Sequence, residues 1–164
     1  MAKNHHLVGL LLFLTAAAVA ATVSAAAAVG NLTAYEMLER YMFPRGILPQ
    51  GVQCYVLRPD GSFEVFFPGS GGCEFRVGGR YLLRYERRIA GTARAGSIRG
   101  LRGVSVKVLF LWLGIDEVDR AGDQLSFHVG PLATSFPLRK FAQSPRCGCG
   151  FDCAAAGDAA VAAS

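Results

Sequence analysis

The residues equipped for chemistry are few. Of the three histidines in the 164-residue chain, His5 and His6 stand at the very start, ahead of an apolar run. His128 remains, with Ser126 two residues earlier and Asp123 nearby. A serine nucleophile needs a histidine converging on its hydroxyl and a carboxylate orienting that histidine. Side chains two apart on a strand stand nearly parallel, so this spacing does not supply the convergence. No G-x-S-x-G turn is present in the sequence, and Gly69-Ser70-Gly71-Gly72 lacks the helix and lysine of a phosphate loop. Among the five cysteines, Cys147-x-Cys149-x-x-x-Cys153 lacks the second pair of ligands that a metal cluster requires. The odd count leaves at least one cysteine unpaired or paired between chains. Cys54 and Cys73 are expected to face the core, as small hydrophobes or disulfide halves. The side chains thus point to no catalytic set, no metal site and no cofactor.

What surrounds these residues fixes a compartment. Lys3, His5 and His6 precede the apolar run Leu7 to Ala21, and Val23-Ser24-Ala25 offers small residues three and one positions before a cut. This is the layout of a secretory signal peptide over residues 1–25, too short for a membrane-spanning helix. The expected destination is extracellular space or cell wall, and the cysteines then meet an oxidising lumen. Asn31-Leu32-Thr33 is an N-glycosylation sequon just beyond the cut. The remainder is one β domain over residues 31–146, with one core. Residues 147–164 are Cys, Gly and Ala with little else, and disorder is expected there beyond a disulfide.

The net charge of +5 is mostly arginine. Eight arginines from Arg76 to Arg102 are opposed only by Glu86. Such a stretch forms either a surface for anionic partners, with Arg84 and Arg88 at its centre, or simply solvated strand faces. Nucleic acid is excluded as a partner, since no recognition motif accompanies the charge.

Periodicity then places the elements. Thr33-Ala34-Tyr35-Glu36 fits a capping box opening a helix to about Phe43, with Tyr35, Leu38 and Met42 on one face, and Pro44 stops it. From Val52 the period becomes two. A two-residue Asp60-Gly61 loop would set Val56 opposite Val65 and Cys54 opposite Phe67. A three-residue loop at Gly78-Gly79-Arg80 sets Val77, Phe75 and Cys73 against Tyr81, Leu83 and Tyr85. It keeps Arg84, Glu86 and Arg88 outward, where a two-residue loop would bury arginines. Ile89 to Gly103 reads as a bent strand turning near Gly100, Leu125, Phe127 and Val129 mark the inner face of another strand, and Leu138 to Phe141 forms one helical turn.

The segment Val104 to Val118 is the most apolar of the expected domain and reads as the central strand. Val104, Val106 and Val108 lie on one face, while Leu109, Leu111 and Leu113 occupy the other. So bare a β-prone run would be hazardous on an edge, which argues for an interior position. The second face is expected to meet either the helix around Leu38 and Met42, completing a closed core, or an apolar ligand in a pocket lined by Leu109, Leu111, Leu113, Leu38 and Met42. Both alternatives depend on an interior strand.

Several motifs in order carry a family resemblance. They are Tyr35-Glu36-Met37-Leu38-Glu39, Pro44-Arg45-Gly46-Ile47-Leu48-Pro49, Gly61-x-Phe63-x-Val65, Tyr81-Leu82 with Tyr85-Glu86, Gly103-Val104-x-Val106-Lys107 running into Leu109-Phe110-Leu111-Trp112-Leu113, Phe127-x-Val129-Gly130, and Phe136-Pro137. Over roughly Leu32 to Cys147 the chain resembles the plant family called domain of unknown function 538. The resemblance implies a mainly β fold, an antiparallel buckled pseudobarrel of about seven strands with a short N-terminal helix. It also implies a likeness to lipid-binding bactericidal/permeability-increasing proteins, roles in stress and defence, and a suggested hydrolysis of chlorophyll-type substrates, without agreed catalytic residues. The combined expectation is a secreted, non-enzymatic protein binding a lipid or other amphipathic small molecule. A weak esterase-like hydrolase and a cell-wall protein for anionic polysaccharide are the alternatives.

Overall fold

The computed structural model describes residues 32–151. The signal-peptide segment 1–25, Asn31 and residues 152–164 lie outside the described residues. The chain starts with helix α1 (Ala34–Arg40), opened by the capping box foreseen in the sequence: Thr33 Oγ1 accepts from the Glu36 amide, and the Glu36 carboxylate accepts from the Thr33 amide. The helix ends at Arg40 rather than near Phe43, because Met42 turns into the left-handed region (φ 67°) and the chain doubles back. Met42 is therefore half-exposed, off the face that buries Met37 and Leu38. A 3₁₀ turn, Arg45–Ile47, follows Pro44.

Nine strands follow among the described residues: β1 (Cys54–Leu57), β2 (Ser62–Phe66), β3 (Cys73–Val77), β4 (Tyr81–Arg94), β5 (Ser97–Val108), β6 (Leu111–Gly114), β7 (Glu117–Ala121), β8 (Gln124–Val129) and β9 (Leu132–Pro137). All pairings are antiparallel, and the sheet runs β1-β2-β4-β5-β7-β8-β9 without closing into a barrel. The mainly β, buckled antiparallel class read from the sequence holds, with nine strands instead of seven. The long pair β4–β5 is the spine. One half of β4 pairs with β2 and the other with β3, while β5 divides its free side between β7 and β6.

The spine bends at glycines. Inward positions on β5 fall at Ile98, Leu101, Val104 and Val106, spaced three, three and two residues apart. The register shifts twice along the pair: β5 carries the longer segment between Arg99 and Arg102, at Gly100 (φ 58°), and β4 the longer one between Tyr85 and Ala90, opposite Gly103 (φ 84°). This is why the stretch before Val104 shows no clean alternation. The reversal expected near Gly100 comes earlier, at Ala95-Gly96, between β4 and β5.

The hairpin β3–β4 has the register derived from the cost of burying arginine, with Cys73 opposite Tyr85, Phe75 opposite Leu83 and Val77 opposite Tyr81. The hairpin β1–β2 does not match its expected register. Its loop holds three residues, Pro59-Asp60-Gly61, with Gly61 left-handed (φ 86°) and Asp60 Oδ1 accepting from the Ser62 amide and hydroxyl. Tyr55 then faces Val65 and Leu57 faces Phe63. A slip of one residue turns every side chain over, so Cys54 and Val56 are exposed and Cys54 is a free thiol at the surface, not a core residue.

The largest correction concerns Val104 to Val118. It is no single interior strand. β5 ends at Val108, Leu109 takes a left-handed conformation (φ 54°), and β6 returns along β5 with Val108 opposite Leu111 and Lys107 opposite Trp112. β6 pairs with β5 alone, so it lies on an edge. The chain also departs from the expected disorder after Arg146. Cys147 forms a disulfide with Cys73, the Gly148 amide donates to Glu74, and the Phe151 ring packs edge-on against Phe75 and Phe141.

Tyr85 ties the helical segment to the sheet: its buried hydroxyl donates to the Ile47 carbonyl at 2.7 Å. Burial pushes its pKa well up from the ordinary value. The neutral form is favoured in the fold, so its contribution is complete below about pH 10, where an unfolded tyrosine ionises, and declines above it. Tyr85→Phe is expected to lose roughly 1–2 kcal/mol at neutral pH and to show a shallower alkaline loss than the parent in urea unfolding from pH 8 to 11. Gly103→Ala would place a Cβ 2.3 Å from the Arg88 carbonyl oxygen, whereas Gly100→Ala meets nothing within 4 Å. Both sit at positive φ, so thermal melts should show both destabilised, Gly103→Ala by at least about 2 kcal/mol more.

Candidate functional site

Where β8 and β9 curl back toward the β3–β4 hairpin, the inward side chains do not fill the space between them. They leave an open apolar cleft of about 230 Å³. Val77, Tyr81 and Leu83 reach it from β3 and β4, Val106 and Val108 from β5, and Leu113 from β6. The opposite wall is aromatic. Phe127 and Phe136 lie 6.0 Å apart by ring centroid, Phe141 is 5.6 Å from Phe127, and Tyr81 meets Phe136 edge-on at 5.6 Å. Only Tyr81 and Thr134 bring polar side-chain atoms to the lining. The volume falls just under the range of roughly 300–1,000 Å³ typical of small-molecule sites. A space of this volume and lining has room for one hydrocarbon chain or ring system.

Of the five residues expected to line a pocket, Leu113 alone does so. Leu109 and Leu111 are 85% and 67% exposed. Leu38 borders a separate void of about 40 Å³ inside the core, and Met42 is half-exposed. Neither the closed-core packing nor the pocket argued from these leucines is present. The cleft lies on the other face of β5, behind the valines. Its lining had a signal in the alternation of the hairpins, since Val77, Leu83, Phe127 and Val129 all fall on inward faces. Periodicity does not say which inward faces converge.

Of the eight arginines from Arg76 to Arg102, three, Arg84, Arg88 and Arg99, stand in ion pairs. Arg84 is held between Glu74, at 2.6 Å, and the face of Trp112, with its guanidinium carbon 3.8 Å from the ring centroid. Arg88 and Arg58 share Glu64, whose carboxyl their hydrogen bonds hold below the ordinary range. They border an open polar groove in which Arg102 and Asp116 also take part.

Glu117, Asp119 and His128 form a second polar group, on the outward faces of β7 and β8, with ligand atoms within 4.8 Å of one another. His128 Nε2 lies 3.4 Å from Asp119, and Arg99 pairs with both acids. Glu117 is raised by its hydrogen bond with Asp119, by burial and by Asp119's charge. Burial opposes ionisation of Asp119, yet hydrogen bonds from Glu117 and Ser97 and the charges of Arg99 and His128 leave it lowered. The carboxylate beside His128 is thus Asp119, not Asp123, and the Ser126 hydroxyl is hydrogen-bonded to Ser135 at 2.8 Å. Arg99 already pairs with the two acids that a cation would need.

Residues 34–142 match the family described as protein of unknown function, DUF538. The chain belongs to this family. The match runs from the first residue of α1 to just past the 3₁₀ turn Leu138–Phe141, so it covers the whole sheet and every cleft residue. Cys147 falls outside it, and with it one half of the disulfide that fastens β3. No curated protein and no solved structure matches the chain. Among the described residues of this DUF538 protein, no helix is long and apolar enough to cross a membrane.

Trp112 is the single tryptophan of the chain, so its fluorescence reports the β5–β6 hairpin. Arg84→Ala uncovers its ring and is expected to red-shift the emission and to lower stability by about 0.5–1 kcal/mol. An unshifted spectrum would place the guanidinium elsewhere.

Proposed function

We propose that this DUF538 protein is an exported, non-enzymatic binding protein whose cleft takes the apolar tail of an amphipathic small molecule. The observation that carries the reading is the cleft's lining: thirteen side chains of which only Tyr81 and Thr134 bring polar atoms, open at one side to solvent. An apolar recess of this kind gains from removing hydrocarbon from water, about 25 cal/mol per Å² of apolar surface covered, and offers a polar ligand only the side chains of Tyr81 and Thr134. Export is supported by the basic-then-apolar start of the sequence and by the disulfide Cys73–Cys147, a bond that persists in oxidising compartments. A hydrolytic reading has less support, since no serine among the described residues is shown meeting His128 and the cleft's lining holds no histidine, cysteine or carboxylate. The polysaccharide reading is weakened by the engagement of Arg84 and Arg88 with Glu74 and Glu64.

The fluorescent fatty acid cis-parinaric acid tests this directly. Saturable binding of one probe per chain is expected, displaced by unlabelled long-chain fatty acid. Val129→Trp, which fills the cleft from its partly buried wall, should lower the affinity at least about tenfold, a loss of about 1.4 kcal/mol. Unchanged probe affinity in a Val129→Trp protein that melts normally would overturn the reading.

A further inference from the structure

The β5–β6 hairpin ends in an apolar tip that nothing among the described residues covers. Leu109 and Phe110 form a two-residue turn, 85% and 91% exposed, and Leu111 beside them is 67% exposed. Leu109 occupies the turn position that needs positive φ and ordinarily takes glycine. A bulky apolar residue there gains nothing for the fold. The tip adjoins the cleft, because Val108, the cross-strand partner of Leu111, is part of the lining. Leu132, 63% exposed, continues the apolar rim on the far side.

The surroundings of the tip carry one sign of charge. Lys107 pairs with Leu82 on one side and Trp112 on the other, so the register brings the Gly78-Gly79-Arg80 turn alongside Leu109. Lys140 Nζ lies 3.9 Å from where a side chain on Gly78 would begin. Residues 75–84 and 104–115 contain Arg76, Arg80, Arg84 and Lys107 and no acid. The nearest carboxylate on the same hairpin face, Glu74, is taken by Arg84. Arg76, Arg80, Lys107 and Lys140 make no ion pair among the described residues.

We infer that this tip is a membrane-docking element: Leu109, Phe110 and Leu111 enter the interface of an anionic lipid bilayer while Arg80, Lys107 and Lys140 contact its head groups. Apolar residues ringed by Lys and Arg are what such an interface selects, since burial of hydrocarbon and attraction to anionic head groups act together. Docking there would bring the cleft mouth to the bilayer surface, where an amphipathic ligand could pass between them. To that extent the inference rests on the proposed function, but tip and cleft can be tested separately.

The experiment is vesicle co-sedimentation of the purified chain, with phosphatidylcholine alone and with phosphatidylglycerol added, read together with Trp112 emission two residues from Phe110. Binding is expected only to the anionic vesicles, with a blue shift. It should weaken between about 0.1 M and 1 M salt, as the screening length falls from ~10 Å to ~3 Å. Phe110→Asp should abolish it, and Lys107→Gln should lower it roughly fivefold, as expected for one basic residue near an anionic surface. Both substitutions lie on exposed positions, and cis-parinaric acid binding without vesicles should survive them. Equal binding to neutral vesicles, no binding to either, or a concentration-dependent dimer abolished by Phe110→Asp would each overturn the inference. Vesicle binding by a protein that takes up no cis-parinaric acid would leave the docking tip standing and remove the cleft's proposed role.

Discussion

The pairing of β4 with β5 is the constraint on which the rest depends. These two strands run from Tyr81 to Val108 with one reversal, and every other strand is attached to them directly or through one or two intermediaries. A straight ribbon of that length would hold a flat sheet. Here Gly103 brings its backbone so close to Arg88 that a Cβ would stand 2.3 Å from the carbonyl oxygen, and the ribbon bends. The bend directs the β3, β4 and β6 ends toward β8 and β9, and the cleft is the space left where they approach.

A second consequence of the spine is the division of labour between its two faces. Inside, Tyr85 spans from β4 to the helical segment, and the buried set from Ala34 to Phe141 is continuous. Outside, Arg84 and Arg88 of β4 stand over acids of neighbouring strands, Glu74 on β3 and Glu64 on β2. Exposed pairs of this kind stabilise little. Their effect is on partner choice, because a guanidinium that already faces a carboxylate is a poor site for a foreign anion. Among the described residues, Arg80 and Lys107 at the hairpin ends and Lys140 on the last 3₁₀ turn make no ion pair, and neither do Arg76, Arg87, Arg94 and Arg102.

How much of this could be read in advance varied with the kind of argument. The capping box, the β3–β4 register and the closing 3₁₀ turn at Leu138 to Phe141 were legible, since each rests on a local pattern backed by a local energy. The β1–β2 register was not. Val52, Cys54 and Val56 alternate as well as Tyr55 and Leu57 do, and only the loop length decides between them. The tip was misread for an instructive reason. Six apolar residues from Val108 to Leu113 argue for an interior strand if apolar residues are assumed to be buried, and that assumption fails where an apolar surface is left exposed. Nothing in the run marks the turn, because the residue with positive φ is a leucine instead of glycine or asparagine. The disulfide to Cys147 was open to the sequence only as one pairing among several.

The sheet's failure to close has an effect of its own. β9 is laddered to β8 alone and β3 to β4 alone, so across the seam between them the wall is joined by side chains, Tyr81 on Phe136 and Lys140 beside Gly78, with no backbone rungs. Rings that slide past one another give up far less than a row of amide bonds. Parting the seam would therefore cost the fold less than separating any two paired strands. A closed barrel of the same length would have to break its own hydrogen bonds to do as much.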